Sequence, residues 1–363
     1  MKVFIKELRK ERGMTQKELS EKMQVSFQTI SKWENGVNLP DITHIPRLAE
    51  IFGVSADVIL GLEPMKKTSE LRKFDRVDYW NENRELIKIW TALYWNDDYF
   101  EFLVKNVWNF KKPVDILDFG CGYGFLGMKL LPLLPKGSSY TGIELDLEEI
   151  RQAKEYFEET DYTCEFIRQD IYQFQPSKKY DLVVALFLLS YMHNPEFLIE
   201  KMKSSLKPGG MLLLIDADYE VENAGYFSGI ENEEGGLKRP DFIPLWEYEL
   251  SHQERDYKMG TKLPYFLNKC GMKNIQARIS DQVVIYQPAD KNKKEMNDIF
   301  RYVYENEDSY REGTKYFTAR GINCQRAEEF AEYYKNTKKY FDSNEALAVK
   351  TSGIYFVYAN LVQ

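Results

Sequence analysis

The chain has 363 residues and a formal net charge of −8, long for one ordinary domain and comfortable for two. No apolar run reaches membrane-spanning length and no signal peptide is legible, so a cytoplasmic protein is expected. Cys121, Cys164, Cys270 and Cys324 show no C-x-x-C spacing and only three histidines exist, so neither a disulfide framework nor a zinc site is indicated.

The charge is unevenly spread. Residues 1–63 carry nine basic and nine acidic side chains, so the remainder holds the entire −8. A neutral N-terminal unit precedes an acidic body that nucleic acid would not favour.

Residues 3–62 read as short helices separated by turns. Thr15 is placed as the N-cap of a helix beginning at Gln16, with Glu18 completing a capping box. Ser26 caps a second helix, Phe27 to Glu34, which Asn35-Gly36 stops. Leu19, Ile30 and Trp33 fall at core spacing, and a last capped helix follows Ser55. This stretch resembles the Cro/phage-repressor (XRE) family of helix-turn-helix DNA-binding domains. The family's turn position is usually glycine; here it is Gln24, which implies modest strain if its φ is positive.

The resemblance implies that the second helix of the pair enters the major groove of a double-stranded DNA operator. Ser26, Phe27, Gln28, Ser31 and Lys32 would then lie at or near the DNA, and Gln16 would grip a phosphate. The neutral charge of the unit makes a homodimer on a two-fold operator the expected form.

A linker is expected over residues 64–69. Residues 70–110 read as helical and aromatic, including Tyr79, Trp80, Trp90, Tyr94 and Trp95. Most of these rings are expected to be core.

The apolar run Val114 to Leu117 leads into Asp118-Phe119-Gly120-Cys121-Gly122-Tyr123-Gly124, and a helical pattern follows from Phe125. That is a strand, a glycine turn and a helix. Glycines there permit positive φ and close backbone approach, and the helix aims its first amides at whatever sits in the turn. The residues alone leave two cofactors open. Gly122-Tyr123-Gly124-Phe125-Leu126-Gly127 fits the dinucleotide pattern, with Glu144 where a ribose-binding acid belongs.

The alternative starts from Asp118 and resembles motif I of the class I S-adenosylmethionine (SAM) dependent methyltransferases. Matches follow in that family's order: Tyr140 to Glu144 for the second strand, Phe166 to Ile171 for the third and its loop, Tyr180 to Ala185 for the fourth, and Leu206-Lys207-Pro208-Gly209-Gly210 for the turn before the fifth. The ordered set favours SAM over a nicotinamide cofactor.

The resemblance implies a C-terminal α/β Rossmann-like seven-stranded fold over residues 70–363, with the last strand antiparallel between the fifth and sixth. It assigns Gly120 and Gly122 to the methionine part, Asp118 to its ammonium, and Glu144 to the ribose hydroxyls. Leu145 and Ile171 would sandwich the adenine, Asp170 would accept its exocyclic amine, and Ala185 and Leu186 would border the methyl.

Chemistry beyond cofactor binding is less legible. His193, beside Tyr191, is the candidate general base, because imidazole titrates near neutrality. Asn194-Pro195 looks like the N-cap and first residue of the next helix, so His193 could equally be an entry-loop residue. Asp216, Tyr219, Trp246 and His252 are candidates for the acceptor pocket. Residues 219–258 read as an irregular, lid-like insertion and 291–342 as a polar helical one. Thr261 to Cys270 reads as a helix, Asn274 to Ile279 and Gly353 to Val362 as strands.

Ala185-Leu186-Phe187-Leu188-Leu189 lacks the Asn/Asp/Ser-Pro-Pro-Tyr-like motif of DNA and RNA adenine methyltransferases, and no Pro-Cys nucleophile stands in for a cytosine-C5 enzyme. A small organic acceptor is therefore expected. Two readings remain: a DNA-binding regulator fused to a small-molecule methyltransferase, or a repressor whose methyltransferase-like domain only senses SAM or a metabolite.

Overall fold

The structure, a computed structural model, describes residues 3–11, 14–52, 56–60, 88–231, 239–252, 255–291, 294, 297–301 and 314–361. The expected linker at 64–69, Ser55, Tyr79 and Trp80 lie outside the described residues. The chain divides into two compact units, which are taken in turn.

The N-terminal unit contains α1 (Ile5–Glu11), α2 (Gln16–Met23), α3 (Phe27–Glu34), a 3-10 turn at Ile42–His44, α4 (Ile45–Phe52) and α5 (Ala56–Ile59). Thr15 and Glu18 form the capping box at α2, and the Ser26 side chain accepts from the Thr29 amide at α3. Leu19, Ile30 and Trp33 are buried with Ile5, Leu8, Leu48 and Phe52 in one small core. Gln24 does adopt the left-handed conformation, φ 55° and ψ 38°. It turns the chain between α2 and α3.

The second unit is built on a seven-stranded sheet. Before it comes a helix over residues 88–94, then α6 (Asp97–Phe102), which widens into a π-helix over Leu103–Trp108. The α/β body follows: β1 (Asp115–Phe119), α7 (Phe125–Leu130), β2 (Ser139–Glu144), α8 (Leu147–Glu158), β3 (Thr163–Arg168), β4 (Tyr180–Leu186), α9 (Pro195–Ser204) and β5 (Leu206–Ala217). Next come α10 (Tyr219–Ala224), β6 (Tyr226–Ser228), α11 (Ile243–Ser251), α12 (Met259–Lys269), β7 (Lys273–Ile279) and β8 (Val283–Tyr286). The chain closes with α13 (Lys315–Ala319), α14 (Cys324–Phe341), β9 (Ala348–Thr351) and β10 (Ile354–Asn360).

The large sheet has the order β3-β2-β1-β4-β5-β10-β7. The first five of these run parallel, while β10 is antiparallel to both β5 and β7, as the family resemblance implied. The central strands are apolar runs buried on both faces, as parallel sheets covered by helices require. The edge strands β3 and β7 are the most exposed and the most polar.

Two expectations need correction. Lys207 to Gly210 is not a turn ahead of β5 but a bulge inside it. The β4 register steps from Tyr180↔Leu206 to Leu182↔Met211, so the glycines loop out of an existing ladder. The 219–258 stretch is not irregular where it is described, since it forms α10, β6 and α11. A second sheet, β6-β9-β8, was not anticipated. Its short strands pair antiparallel across long separations in the chain, and each is too brief to show a period-two pattern.

Candidate functional site

The strand order reverses between β1 and β4. In open α/β sheets the crevice beyond the carboxyl ends of the strands at such a switch point is where ligands bind. Here it is bounded by the glycine turn after β1 and by Phe187-Leu188 after β4.

Backbone geometry makes the glycine turn. Gly120, Gly122 and Gly124 have φ of 69°, 50° and 82°, values that L side chains adopt only with strain. A Cβ on Gly120 would sit 3.0 Å from Leu188 Cδ1, so the turn and the β4 loop pack directly. The amides of Gly120 and Cys121 donate to the Ile143 carbonyl at 2.9 and 3.0 Å, tying the turn to β2.

Glu144 ends β2. Its Oε1 accepts from the Leu145 and Asp146 amides at 2.6 and 3.0 Å, and its Oε2 from the Gly122 amide at 3.2 Å. Burial pushes its carboxyl up, and the three amides oppose that shift. Each oxygen has two lone pairs, so Oε1 is filled by its two amides and Oε2 keeps one site for a ribose hydroxyl. Leu145 follows it in the chain with 40% of its surface exposed, available to cover an aromatic ring.

Asp118 lies beneath the turn, only 1% exposed. Its Oδ2 accepts from the Tyr140 hydroxyl at 2.6 Å, and its Oδ1 has no hydrogen-bond partner among the described residues. Burial raises its pKa to about 7, with the Tyr140 bond opposing and the Glu144 charge reinforcing. Asp170 is buried and Ile171 half-buried in the loop after β3. Ala185 is buried and Leu186 half-buried at the end of β4.

Phe187 has φ 49° while its amide still bonds to the Ile215 carbonyl at 2.8 Å. A non-glycine residue held in this conformation at a strand end marks a constrained site. The Trp90 ring meets it edge-on at 5.5 Å and stacks on Tyr219 at 6.2 Å.

Asp216, fully buried near the end of β5, accepts from the Ser190 and Ala217 amides at 3.0 and 2.9 Å. Burial raises it to about 6, those amides and the Arg255 charge opposing. Tyr191 and Tyr219 both pack on the Arg255 guanidinium, at 4.8 and 4.6 Å from ring centroid to Cζ.

His193 lies in the short segment of chain between Tyr191 and the start of α9. Asn194 does cap α9, accepting from the Phe197 amide at 3.0 Å, with Pro195 as first residue. Trp246 is buried and stacked between Phe242 and Tyr257, a packing position. His252 is exposed at the end of α11, stacked 3.8 Å from Tyr248 with Nδ1 against the Tyr248 carbonyl. It serves the helix end.

Arg255, Tyr257, Phe187 and Tyr140 escaped sequence reasoning. For the first two no motif exists, because loop residues that converge through tertiary folding carry no local period. Tyr140 was visible as the start of a strand, but its bond to Asp118 depends on strand register.

In the N-terminal unit, Ser26, Phe27, Gln28 and Lys32 are exposed at α3, with Phe27 at 52%. Ser31 is half-buried, and Gln16 donates to Glu34 Oε2 at 2.8 Å. Glu34 also receives Arg9 in a bidentate pair, at 2.5 and 2.9 Å. These three residues brace α1, α2 and α3 together.

Residues 5–59 match the family model described as helix-turn-helix, and residues 117–212 match that of a methyltransferase domain. The chain thus carries one stretch that matches a helix-turn-helix domain and one that matches a methyltransferase domain, the second lying on a sheet of Rossmann-like order. Among its relatives is the ubiquinone biosynthesis O-methyltransferase of Rickettsia felis, 26% identical over 150 residues, which are 40% of this chain and 59% of that protein. Another is malonyl-[acyl-carrier protein] O-methyltransferase 2 of Ilyobacter polytropus, 32% identical over 27% of this chain and 38% of the relative. The chain therefore spans less than two thirds of the length of these relatives. Phosphoethanolamine N-methyltransferase 2 of Haemonchus contortus, solved with S-adenosyl-L-methionine, is 17% identical with a TM-score of 0.45, covering 80% of this chain and 59% of that one.

Among the described residues no helix is long and apolar enough to cross a membrane, and no group of His, Cys, Asp and Glu could hold a metal ion.

Proposed function

We propose that the chain transfers the methyl group of SAM to a small organic acceptor, and that its helix-turn-helix domain binds an operator in double-stranded DNA as a homodimer. The observation that carries the first part is the glycine turn at positive φ with its Gly122 amide bonded to Glu144, at the switch point of the sheet. The residues present fit the cofactor. Gly120 and Gly122 cradle the methionine part, and Asp118 under the turn suits its ammonium. Glu144 takes a ribose hydroxyl on Oε2. Leu145 and Ile171 cover the adenine, with Asp170 at its amine.

When bound, SAM supplies an electrophilic methyl on a sulfonium. The protein's part is alignment and exclusion of water. Ala185 and Leu186 border the methyl, and Phe187 and Trp90 wall off the far side. His193 takes the acceptor's proton if the nucleophile starts as a hydroxyl, with Tyr191 beside it; Asp216 and Tyr219 line the acceptor's place. The absence of a base-flipping motif after β4 supports a small acceptor over a nucleobase.

In the DNA-binding unit, Phe27, Gln28 and Lys32 are exposed on α3 to reach base edges, with Ser26 and Ser31 near the backbone. Gln16 turns from Glu34 to a phosphate.

Native mass spectrometry with added SAM tests the cofactor assignment. One cofactor mass per chain is expected, and lost in Glu144→Ala. No uptake at high micromolar SAM would remove the enzyme reading. Uptake without turnover in His193→Ala would support the base role, whereas an unchanged rate would remove it. For the DNA-binding part, binding to a duplex selected from a random pool should vanish in Gln28→Ala/Lys32→Ala, and retention would sink the docking.

A further inference from the structure

Arg255 sits where three loops meet. Its guanidinium lies 4.8, 4.6 and 4.9 Å from the ring centroids of Tyr191, Tyr219 and Tyr257, and its Nη2 donates to the Tyr219 hydroxyl at 2.9 Å. Two backbone bonds fix its place. The Asp256 amide donates to the Ser190 carbonyl at 2.7 Å, and the Tyr219 amide to the Tyr257 carbonyl at 2.8 Å. Ser190 follows β4 and Tyr219 follows β5, so the cation stands over the carboxyl ends of the two strands beyond the switch point. The methionine end of SAM belongs on the other side, at the turn after β1.

Rings that take the faces of a guanidinium leave hydrogen bonding to its edge. A second donor lies in the same aromatic group. Trp90, stacked on Tyr219, holds a buried Nε1–H with no hydrogen-bond partner among the described residues. A buried unpaired donor costs stability unless a ligand satisfies it. Aromatic walls with a cation and a spare donor suit a flat organic body carrying an acceptor-only group. Asp216 is near enough for the two charges to feel each other, so a doubly charged phosphate is disfavoured against a singly charged carboxylate.

We infer that Arg255 binds the carboxylate of a small planar monocarboxylate acceptor within the cluster of Trp90, Tyr191, Tyr219 and Tyr257. This deepens, and rests on, the methyltransferase reading above.

The test is calorimetric, on the full chain. S-adenosylhomocysteine is titrated first, and its failure to bind would bring down the methyltransferase reading itself. The saturated protein is then titrated with benzoate and with benzamide, which share shape and differ in charge. Benzoate should bind at least about tenfold tighter, the worth of a charge-assisted hydrogen bond. The difference should vanish in Arg255→Met and survive in part in Arg255→Lys, while S-adenosylhomocysteine binds each variant as before, which also shows that they fold. Equal or absent binding of the two probes, or a preference that persists in Arg255→Met, would overturn the Arg255 assignment while leaving the methyltransferase intact.

Discussion

Two residues carry strain or charge that a substitution can release. Gln24 holds φ 55° between α2 and α3, where glycine would incur no Cβ penalty. Gln24→Gly should stabilise the helix-turn-helix unit by about 1 kcal/mol, the left-handed penalty less the entropy that glycine loses. A higher urea midpoint with unchanged slope would show it, and an unchanged midpoint would mean that the side chain makes up the difference.

Asp118 is the reverse case, a buried acid under the glycine turn. Its pKa of about 7 lies above the unfolded value near 4, so the folded state binds a proton that the unfolded state lacks across that window. Stability is therefore fullest below about pH 4 and falls as pH rises through 7. Asp118→Asn keeps an acceptor for the Tyr140 hydroxyl and removes the charge. It should raise the melting temperature at pH 8 and leave it nearly unchanged at pH 4. The cationic cofactor makes the opposite demand. Wild-type affinity for SAM should rise from pH 6 to pH 8, and the variant's should stay flat and weak. A wild-type affinity indifferent to pH would detach Asp118 from the ammonium.

At the level of elements, the glycine turn depends on a further glycine, Gly142 in β2. A Cβ on Gly142 would come 2.6 Å from Cys121 Sγ and 3.2 Å from Phe166 Cδ1. Gly142 pairs with Asp118 on one side and Phe166 on the other, so β2 needs a hole where Cys121 folds back from the turn. Gly142→Ala should cost about 1–3 kcal/mol, the usual penalty of overpacking, and should weaken SAM binding by displacing the turn. Adding Cys121→Ala makes room, so the double variant should lose less than the sum of the two single ones. Strict additivity in urea unfolding would mean that the two do not meet.

The same elements show what the sequence could carry. Capping residues, the glycine turn and the apolar strands were legible because each depends on neighbours in the chain: Thr15 with Glu18, Ser26 with Thr29, Asp118 with Gly120. Position of β10 between β5 and β7 came from the family resemblance, not from local pattern. The bulge at Lys207 to Gly210, the sheet β6-β9-β8 and the Arg255 cluster stayed hidden, since register and loop convergence are decided by distant partners. Trp246 and His252 show the converse. Their residue types suggested a pocket, and packing placed one in an aromatic stack and the other at a helix end.

At the scale of the molecule, the helix-turn-helix unit and the methyltransferase unit have separate hydrophobic cores, one around Leu19, Ile30 and Trp33 and the other around the large sheet. Units with their own cores can unfold as separate cooperative transitions. A ligand that binds one native unit stabilises that unit by mass action, about 2.7 kcal/mol at a hundredfold excess over its dissociation constant. Differential scanning calorimetry should therefore resolve two transitions, and SAM should raise only the one that Gln24→Gly leaves in place. The distinction bears on regulation. An effect of cofactor on DNA affinity requires a coupling free energy between the sites, and the same coupling would make the helix-turn-helix transition move with SAM. A shift of both transitions would favour the sensing repressor. A shift confined to the methyltransferase transition would mean that the two activities share a chain without sharing energy, and that any regulation must come through the acceptor.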